Sequence, residues 1–286
     1  MTEIGGKQNQ LRQLQLTENE MLKDVVKVCE QYGITYYLSS GTLLGAIRHK
    51  GFIPWDDDID IEIPVNDYRR FLEIAQKALG AQYFVQNYMT DPNFNLAYTR
   101  IRKNGTTFLD PYHAAYRIHH GVWLDVFPLV AVNPGLSLSF KRKILSLSNF
   151  IQIQGKIDSH MEEFNKLLGP IGMAVMRTFS KLPMKTRQKI HERLLGIVFD
   201  ADPAKCTHRA NVWGNITTVF PKEVYEGTPD SVEFEGEQRS APHESVKYLE
   251  IKYGDYMKLP PVEQRRGHGA NIIVDLKNSY EKYIAK

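Results

Sequence analysis

Asp56, Asp58 and Asp60 occupy alternate positions in the run Trp55-Asp56-Asp57-Asp58-Ile59-Asp60. In an extended segment alternate side chains point to one side, so the three carboxylates would share a face. Asp58 and Asp60 would sit about 6–7 Å apart along the backbone, a span that a divalent cation bridges. Carboxylates that close repel one another, and a bound cation is the usual relief. Ile59, Ile61 and Ile63 alternate with Asp58, Asp60 and Glu62, which predicts one buried face and one acidic face. A solvated acidic turn would lack that alternation. An EF-hand loop beginning at Asp56 would need Gly at its sixth place and Glu at its twelfth; this chain has Ile61 and Asp67 there. The pattern points to a metal held for chemistry on phosphates, with Asp57 as a bystander facing the other way.

Four further groups bear on that reading. Gly41-Thr42 can open a helix, whose free N–H groups and partial positive charge suit phosphate oxygens. Taken alone the pair is an ordinary helix start. Arg48 could clamp a phosphate through two hydrogen bonds and His49 could donate to one, with a surface ion pair as the alternative for each. Asp125 lies in the apolar run Gly121-Val122-Trp123-Leu124-Asp125-Val126-Phe127-Pro128, where an acid needs a partner. The reading adopted is a third metal ligand or general base; the alternative is a core Asp satisfied by Arg100 or Arg102. Near the C-terminus, Pro260-Pro261 is followed by Glu263, Arg265, Arg266 and His268, a Pro-stopped loop able to fold its cations over an anion.

These residues need elements to hold them. Thr17 and Glu20 have the spacing of a capping box, and the apolar positions after them predict a helix to Tyr32, ending at Gly33. A strand is predicted over Ile34–Leu38, a short helix from Gly41 to Ile47 and the acid-bearing strand from Asp58 to Ile63. Pro64 ends that strand, and Asn66 caps a helix over Tyr68–Leu79. Further strands are predicted at Tyr83–Tyr88, Ala97–Lys103 and Val122–Phe127. The order implies an α+β architecture around an α/β-type mixed sheet. Three divisions follow: a catalytic core over 1–135, a basic amphipathic helical insertion over 136–205, and a C-terminal part, 206–286, returning to the site. Residues 136–200 carry eleven Lys or Arg against five acids. Such a segment is a helical subdomain with a solvated basic face, or else a peripheral contact with an anionic membrane.

Composition narrows the classes. The 286 residues are 42% hydrophobic and 24% charged, with a net charge of +3, which is ordinary for a globular protein and gives no reason to expect nucleic acid. The two cysteines, Cys29 and Cys206, lack the spacing of a zinc site and suit a reducing compartment. The N-terminal residues carry no apolar core of a signal peptide, and no stretch has the ~18 apolar residues of a membrane span. A cytoplasmic protein is expected, working in solution or at the inner face of the membrane.

Residues 41–60, GTLLGAIRHKGFIPWDDDID, resemble the signature of the LicD family. The Asp125 strand and the ending Tyr253-Gly254-Asp255, Pro260-Pro261, Arg265, His268 resemble it too, whereas 136–200 resembles nothing recognised. The resemblance implies a nucleotidyltransferase (polymerase-beta-like) core and transfer of a phosphoryl-alcohol from a CDP-alcohol donor, CDP-choline being favoured. The acceptor would be a hydroxyl of a glycan, lipid-linked glycan or teichoic-acid-type precursor, and CMP would leave. CDP-ribitol or CDP-glycerol is the alternative donor. It also implies Mg2+ (or Mn2+) on Asp58, Asp60 and Asp125 with Asp56 in support, and phosphate contacts from Gly41, Thr42, Arg48, His49, Arg265 and His268. Choline would call for an aromatic cage, for which Trp55, Trp123, Tyr36, Tyr37 and Tyr116 are candidates. Two other classes compete. A DxD glycosyltransferase would need a larger nucleotide-binding half before its acids than the roughly 55 residues present. A non-catalytic nucleotide-binding module predicts a degraded set of acids, and here the set is intact.

Overall fold

A computed structural model describes residues 2–94, 96–109, 114, 117–152, 170, 174, 178, 181–267 and 272–284. Its spine is β6 (Trp123–Val132), a strand buried along its whole length. On one side of it lies β2 (Asp60–Pro64), in parallel. On the other side, β4 (Thr99–Lys103) pairs antiparallel with its first half and β7 (His208–Asn211) with its second. β1 (Tyr37–Leu38), β3 (Tyr83–Gln86) and β8 (Phe220–Pro221) complete a seven-stranded mixed sheet. Two antiparallel pairs stand apart from it: the hairpin of β9 (Asp230–Phe234) with β10 (Glu237–Ala241), and the long-range pair of β5 (Thr107–Leu109) with β11 (Ile273–Asp275). The mixed α+β class matches the expectation from sequence.

The helices form where apolar residues recur every three or four positions. α1 (Thr2–Tyr32) buries Leu14, Met21, Leu22, Val25 and Cys29, and α3 (Val65–Leu79) buries Tyr68, Phe71, Ala75 and Leu79. α3 packs on β2 and β6 and α1 on β6 and α3, in one core with Ile61, Ile63, Leu124 and Val126. α2 (Ser40–His49) lies against β2 and α6 (Ser245–Tyr253). α4 (Leu136–Gln152) and α5 (Met184–Phe199) pack on each other and close a smaller core over Val130, Val132 and Ala210. β7 therefore carries chain from beyond residue 206 into the same sheet as the acidic strand.

Several boundaries differ from the sequence expectations. α1 begins well before Thr17, whose hydroxyl donates back to the Gln13 carbonyl at 2.9 Å instead of capping a start; continuous helix on both sides leaves no N-terminus there to cap. α3 starts at Val65 after Pro64, so Asn66 is inside the helix and not its cap. The strand foreseen from Ile34 shrinks to Tyr37–Leu38, and β6 runs five residues beyond the expected Phe127 because β7 extends its ladder. Within the basic segment, part of the charge serves the fold. Lys141 is buried and donates to the carbonyls of Ala131 and Val198 (3.2 and 2.5 Å), Arg142 donates to Ile216 O (2.6 Å), and Arg187 is buried. Among the described residues no helix is long and apolar enough to cross a membrane.

Ile61 is fully buried beneath α1 and α3. Replacing it with Ala should cost about 2–4 kcal/mol of stability through lost burial and the cavity left behind. Urea unfolding measures this, and a loss below about 1 kcal/mol would show that the site collapses around the smaller side chain.

Candidate active site

Asp60 opens β2 and Asp125 is the third residue of β6, and the parallel register sets the two directly opposite each other. Asp58, Asp60 and Asp125 offer carboxylate oxygens that all lie within 4.8 Å of one another, and so do Asp56, Asp57 and Asp58. The two groups share Asp58. The acids before Asp60 are not on a strand, since residues 55–59 form a turn and an irregular stretch. Side-chain alternation therefore does not govern them, and the expectation that Asp57 faces away is corrected. Asp57 turns inward and is 9% exposed. A Cβ on Gly267 would collide with its carboxylate, so the C-terminal loop lies directly on the acids.

The surrounding elements hold these carboxylates through backbone and side-chain bonds. The Asp60 N–H donates to Thr42 Oγ1 at 2.8 Å, and the Asp125 N–H donates to the Ile59 carbonyl at 2.9 Å. Arg100, opposite Asp125 on β4, donates from Nε to Asp125 Oδ1 at 2.8 Å and reaches Oδ2 at 3.5 Å. Its guanidinium also lies 4.5 Å from the centre of the Trp123 ring, and donates to the Tyr98 hydroxyl at 3.2 Å. Asp125 thus has the Arg partner of one sequence reading and the acidic neighbours of the other. Burial opposes the Arg100 cation, yet the adjoining Asp125 outweighs it and holds the guanidinium's proton affinity above its ordinary value. Arg102 instead serves Gln86 Oε1 and the Gly121 carbonyl, both at 2.7 Å. Asp60 is pushed well above the usual carboxylate range by burial first, then by Asp58 and Asp125. Its Oδ1 is buried with no hydrogen-bond partner among the described residues. That combination of like charge and an unsatisfied oxygen is what a cation would relieve.

Three groups that sequence reasoning missed complete the surroundings. Glu18 of α1 is 1% exposed, and its carboxyl is raised well above its usual range by burial and by Asp58, Asp57, Asp56 and Asp125. Glu62, two residues along β2 from Asp60, is fully buried, with Ser39 Oγ donating to Oε2 at 3.2 Å. Burial pushes it up to about 7, against the lowering effects of Tyr225, Lys252 and Ser39. Lys252 of α6 donates to Ser40 Oγ at 2.7 Å; burial lowers its proton affinity, while Glu62 and Asp60 support the cation. Only Glu62 had a signal in the sequence, as the third acid of the alternation after Asp58. Glu18 and Lys252 reach the site from far along the chain and carry no local mark.

The residues foreseen as phosphate contacts divide. Gly41 lies against Asp56, where a Cβ would come within 2.8 Å of Oδ2, and this sets an acid at the start of α2 as its dipole prefers. Thr42 is buried and works as the strut beneath Asp60. Arg48 donates to the Tyr256 carbonyl at 2.6 Å and to His49 Nε2 at 2.9 Å, and burial and then Arg48 lower the proton affinity of His49. Beside them opens a cavity of about 390 Å³, lined by Arg48, Trp55, Tyr253, Asp255, Tyr256 and Gln264 among others. The Arg265 guanidinium stands 5.4 Å from the Trp55 ring centre. His268 lies outside the described residues. Of the aromatic candidates, Trp55 faces this cavity; Tyr36 and Tyr37 are buried among residues of β10 and Tyr225, Trp123 lies under Arg100, and Tyr116 is outside the described residues. Tyr253 links cavity and acids: its phenol is raised by burial, then by Asp60, Asp56 and Asp58.

Comparison with known proteins finds relatives of this chain. Residues 33–140 match the family described as LicD/FKTN/FKRP, nucleotidyltransferase domain. Over 277 residues the chain is 30% identical to the lipopolysaccharide cholinephosphotransferase LicD of Haemophilus influenzae, covering 90% of this chain and 95% of that one. A 48-residue stretch is 48% identical to human ribitol 5-phosphate transferase FKRP, covering 17% of this chain and 10% of that protein. A 61-residue stretch is 34% identical to human ribitol-5-phosphate transferase FKTN, covering 21% and 13%.

Glu62 gives the site a pH signature. Its carboxyl ionises at about 7 in the folded chain against an ordinary 4.5, so between those values the native state holds the extra proton. The stability this contributes is complete below the ordinary value and is lost as pH rises through the folded one, roughly 3 kcal/mol in all. Urea midpoints measured in chelator at pH 5 and pH 8 should therefore fall with pH by less in Glu62→Gln than in the wild type. Identical pH dependence in the two proteins would refute the assignment.

Proposed function

We propose, for a chain that belongs to the LicD family and is a transferase, that it moves phosphocholine from CDP-choline to a hydroxyl of a glycan or lipid-linked glycan precursor and releases CMP. The observation that carries this is the convergence of Asp58, Asp60 and Asp125 around a buried carboxylate oxygen of Asp60 that has no hydrogen-bond partner among the described residues. The donor set is all hard oxygen, which suits Mg2+ or Mn2+ and not a zinc-type site. Asp58, Asp60 and Asp125 would hold the ion, with Asp56 and Asp57 placed to hold a second. Bound there, the metal would neutralise charge on the diphosphate.

The chain's own residues supply the rest of the proposed chemistry. The acceptor oxygen bonds to the phosphorus that carries choline, the bridging P–O bond breaks, and CMP leaves with the bridging oxygen. Asp125, fixed in orientation by Arg100, takes the proton of the acceptor hydroxyl. Arg48 lines the neighbouring cavity and Arg265 stands over its Trp55, and the two would bind phosphate oxygens. Trp55, Tyr253 and Tyr256, with Asp255, give that cavity the aromatic and acidic lining that suits a quaternary ammonium group. A nucleotidyltransferase-type core and a cytoplasmic setting belong to the same proposal. The ribitol-phosphate transferases among its relatives support a second reading, CDP-ribitol as donor.

CMP release measured with CDP-choline, CDP-ribitol and CDP-glycerol in Mg2+ or Mn2+ tests the proposal. CDP-choline should be preferred, chelator should abolish turnover, and Asp58→Asn or Asp60→Asn should lower it by several orders of magnitude in a folded protein. Full activity in either variant would overturn the metal assignment, and a preference for CDP-ribitol would replace the donor.

A further inference from the structure

Between Gly51 and Ile59 the chain belongs to no strand or helix, yet it carries three of the clustered acids. Much of what holds it comes from one side of α1. Gln15 is 4% exposed and donates from Nε2 to the Asp56 carbonyl at 2.9 Å. Arg12 donates to Gln15 Oε1 at 3.3 Å and to both oxygens of Glu235, at 3.1 and 2.6 Å. Glu235 Oε1 in turn accepts the Phe52 N–H at 3.3 Å, at the other end of the same loop. Glu18 follows at the next step of three. Its Oε2 is buried with no hydrogen-bond partner among the described residues, and its carboxyl feels Asp58, Asp57 and Asp56. Residues three apart on a helix are neighbours on its surface, so Arg12, Gln15 and Glu18 form one row along the loop. Glu18 belongs to neither group of carboxylates close enough to share an ion. All three lie before residue 33, where the family match begins.

We propose that Gln15, bonded to the Asp56 carbonyl, with Arg12 acting through Glu235, is a positioning element that holds the Asp56–Asp58 turn in the arrangement that receives a divalent cation, while Glu18 lies behind the turn without ligating the ion. The inference rests on the metal reading above and deepens it. Without that element the turn would sample other conformations, and the ion would have to gather its ligands at the cost of ordering them. Residues that orient ligands from behind typically change metal affinity by 10–100-fold when removed.

The test is Mn2+ binding by the full chain without nucleotide, followed by electron paramagnetic resonance of the free ion, beside urea unfolding. Gln15→Leu should weaken Mn2+ binding about 10-fold, while turnover at saturating Mn2+ stays close to the wild type. Glu18→Gln keeps the shape of the side chain and should bind Mn2+ nearly as the wild type does. Unchanged Mn2+ affinity in a folded Gln15→Leu protein overturns the proposal. Glu18→Gln losing as much affinity as Asp60→Asn also overturns it, because Glu18 would then be a ligand. A wild-type chain that binds no Mn2+ overturns the metal reading itself, a result distinct from a wild type that binds and variants that bind alike.

Discussion

Repulsion among carboxylates is the constraint around which this molecule is arranged. Asp56, Asp57, Asp58, Asp60 and Asp125 crowd together, and Glu18 and Glu62 close in as buried neighbours. Buried cations answer some of them: Arg100 holds Asp125, and Lys252 stands near Asp60 and Glu62. The remaining excess of negative charge is stored as raised proton affinity at Asp60, Glu62 and Glu18. Buried acids without compensation are among the costliest features a fold can carry. The cation proposed for the site would relieve that cost.

Legibility in the sequence followed the range of the interactions. The alternation of Ile59, Ile61 and Ile63 with acids marked β2, and the isolated Asp125 in an apolar run marked a strand residue in need of partners. Both signals are local, since strand periodicity is written in adjacent residues. The same rule failed at Asp57, because the chain only becomes extended at Asp60 and a turn obeys no alternation. The capping box at Thr17 failed for a related reason: a cap is read from spacing alone, and a helix that continues through it leaves no terminus to cap. Glu18, Lys252 and Glu235 were invisible. Each reaches the acids only through tertiary packing, and nothing near them in the sequence records it.

The sheet explains why two acids so far apart in sequence face each other. β6 is long enough to accept β4 along its first half and β7 along its second, while β2 runs beside it in parallel. Parallel pairing requires a crossover, and α3 begins it directly after β2. Asp60 and Asp125 are thereby fixed by backbone register. The turn holding Asp56–Asp58 has no such ladder and depends on side chains from elsewhere. The site thus joins a rigid half to a half that must be held.

The hairpin of β9 and β10 supplies part of that hold through Glu235, which sits at its tip with a φ of 52° beside Gly236 at 78°. This two-residue turn points a carboxylate across 223 residues of chain to Arg12. Ser40 and Arg48 likewise wait for Tyr248 and Tyr256. On the ribosome, then, the stretch with the family signature emerges long before the contacts that shape it. Residues 41–60 must remain without their final form until some 200 more have been made, and a nascent chain interrupted earlier presents crowded acids with neither their braces nor their cover. Synthesis order makes the C-terminal quarter the step that turns an acidic sequence into a site.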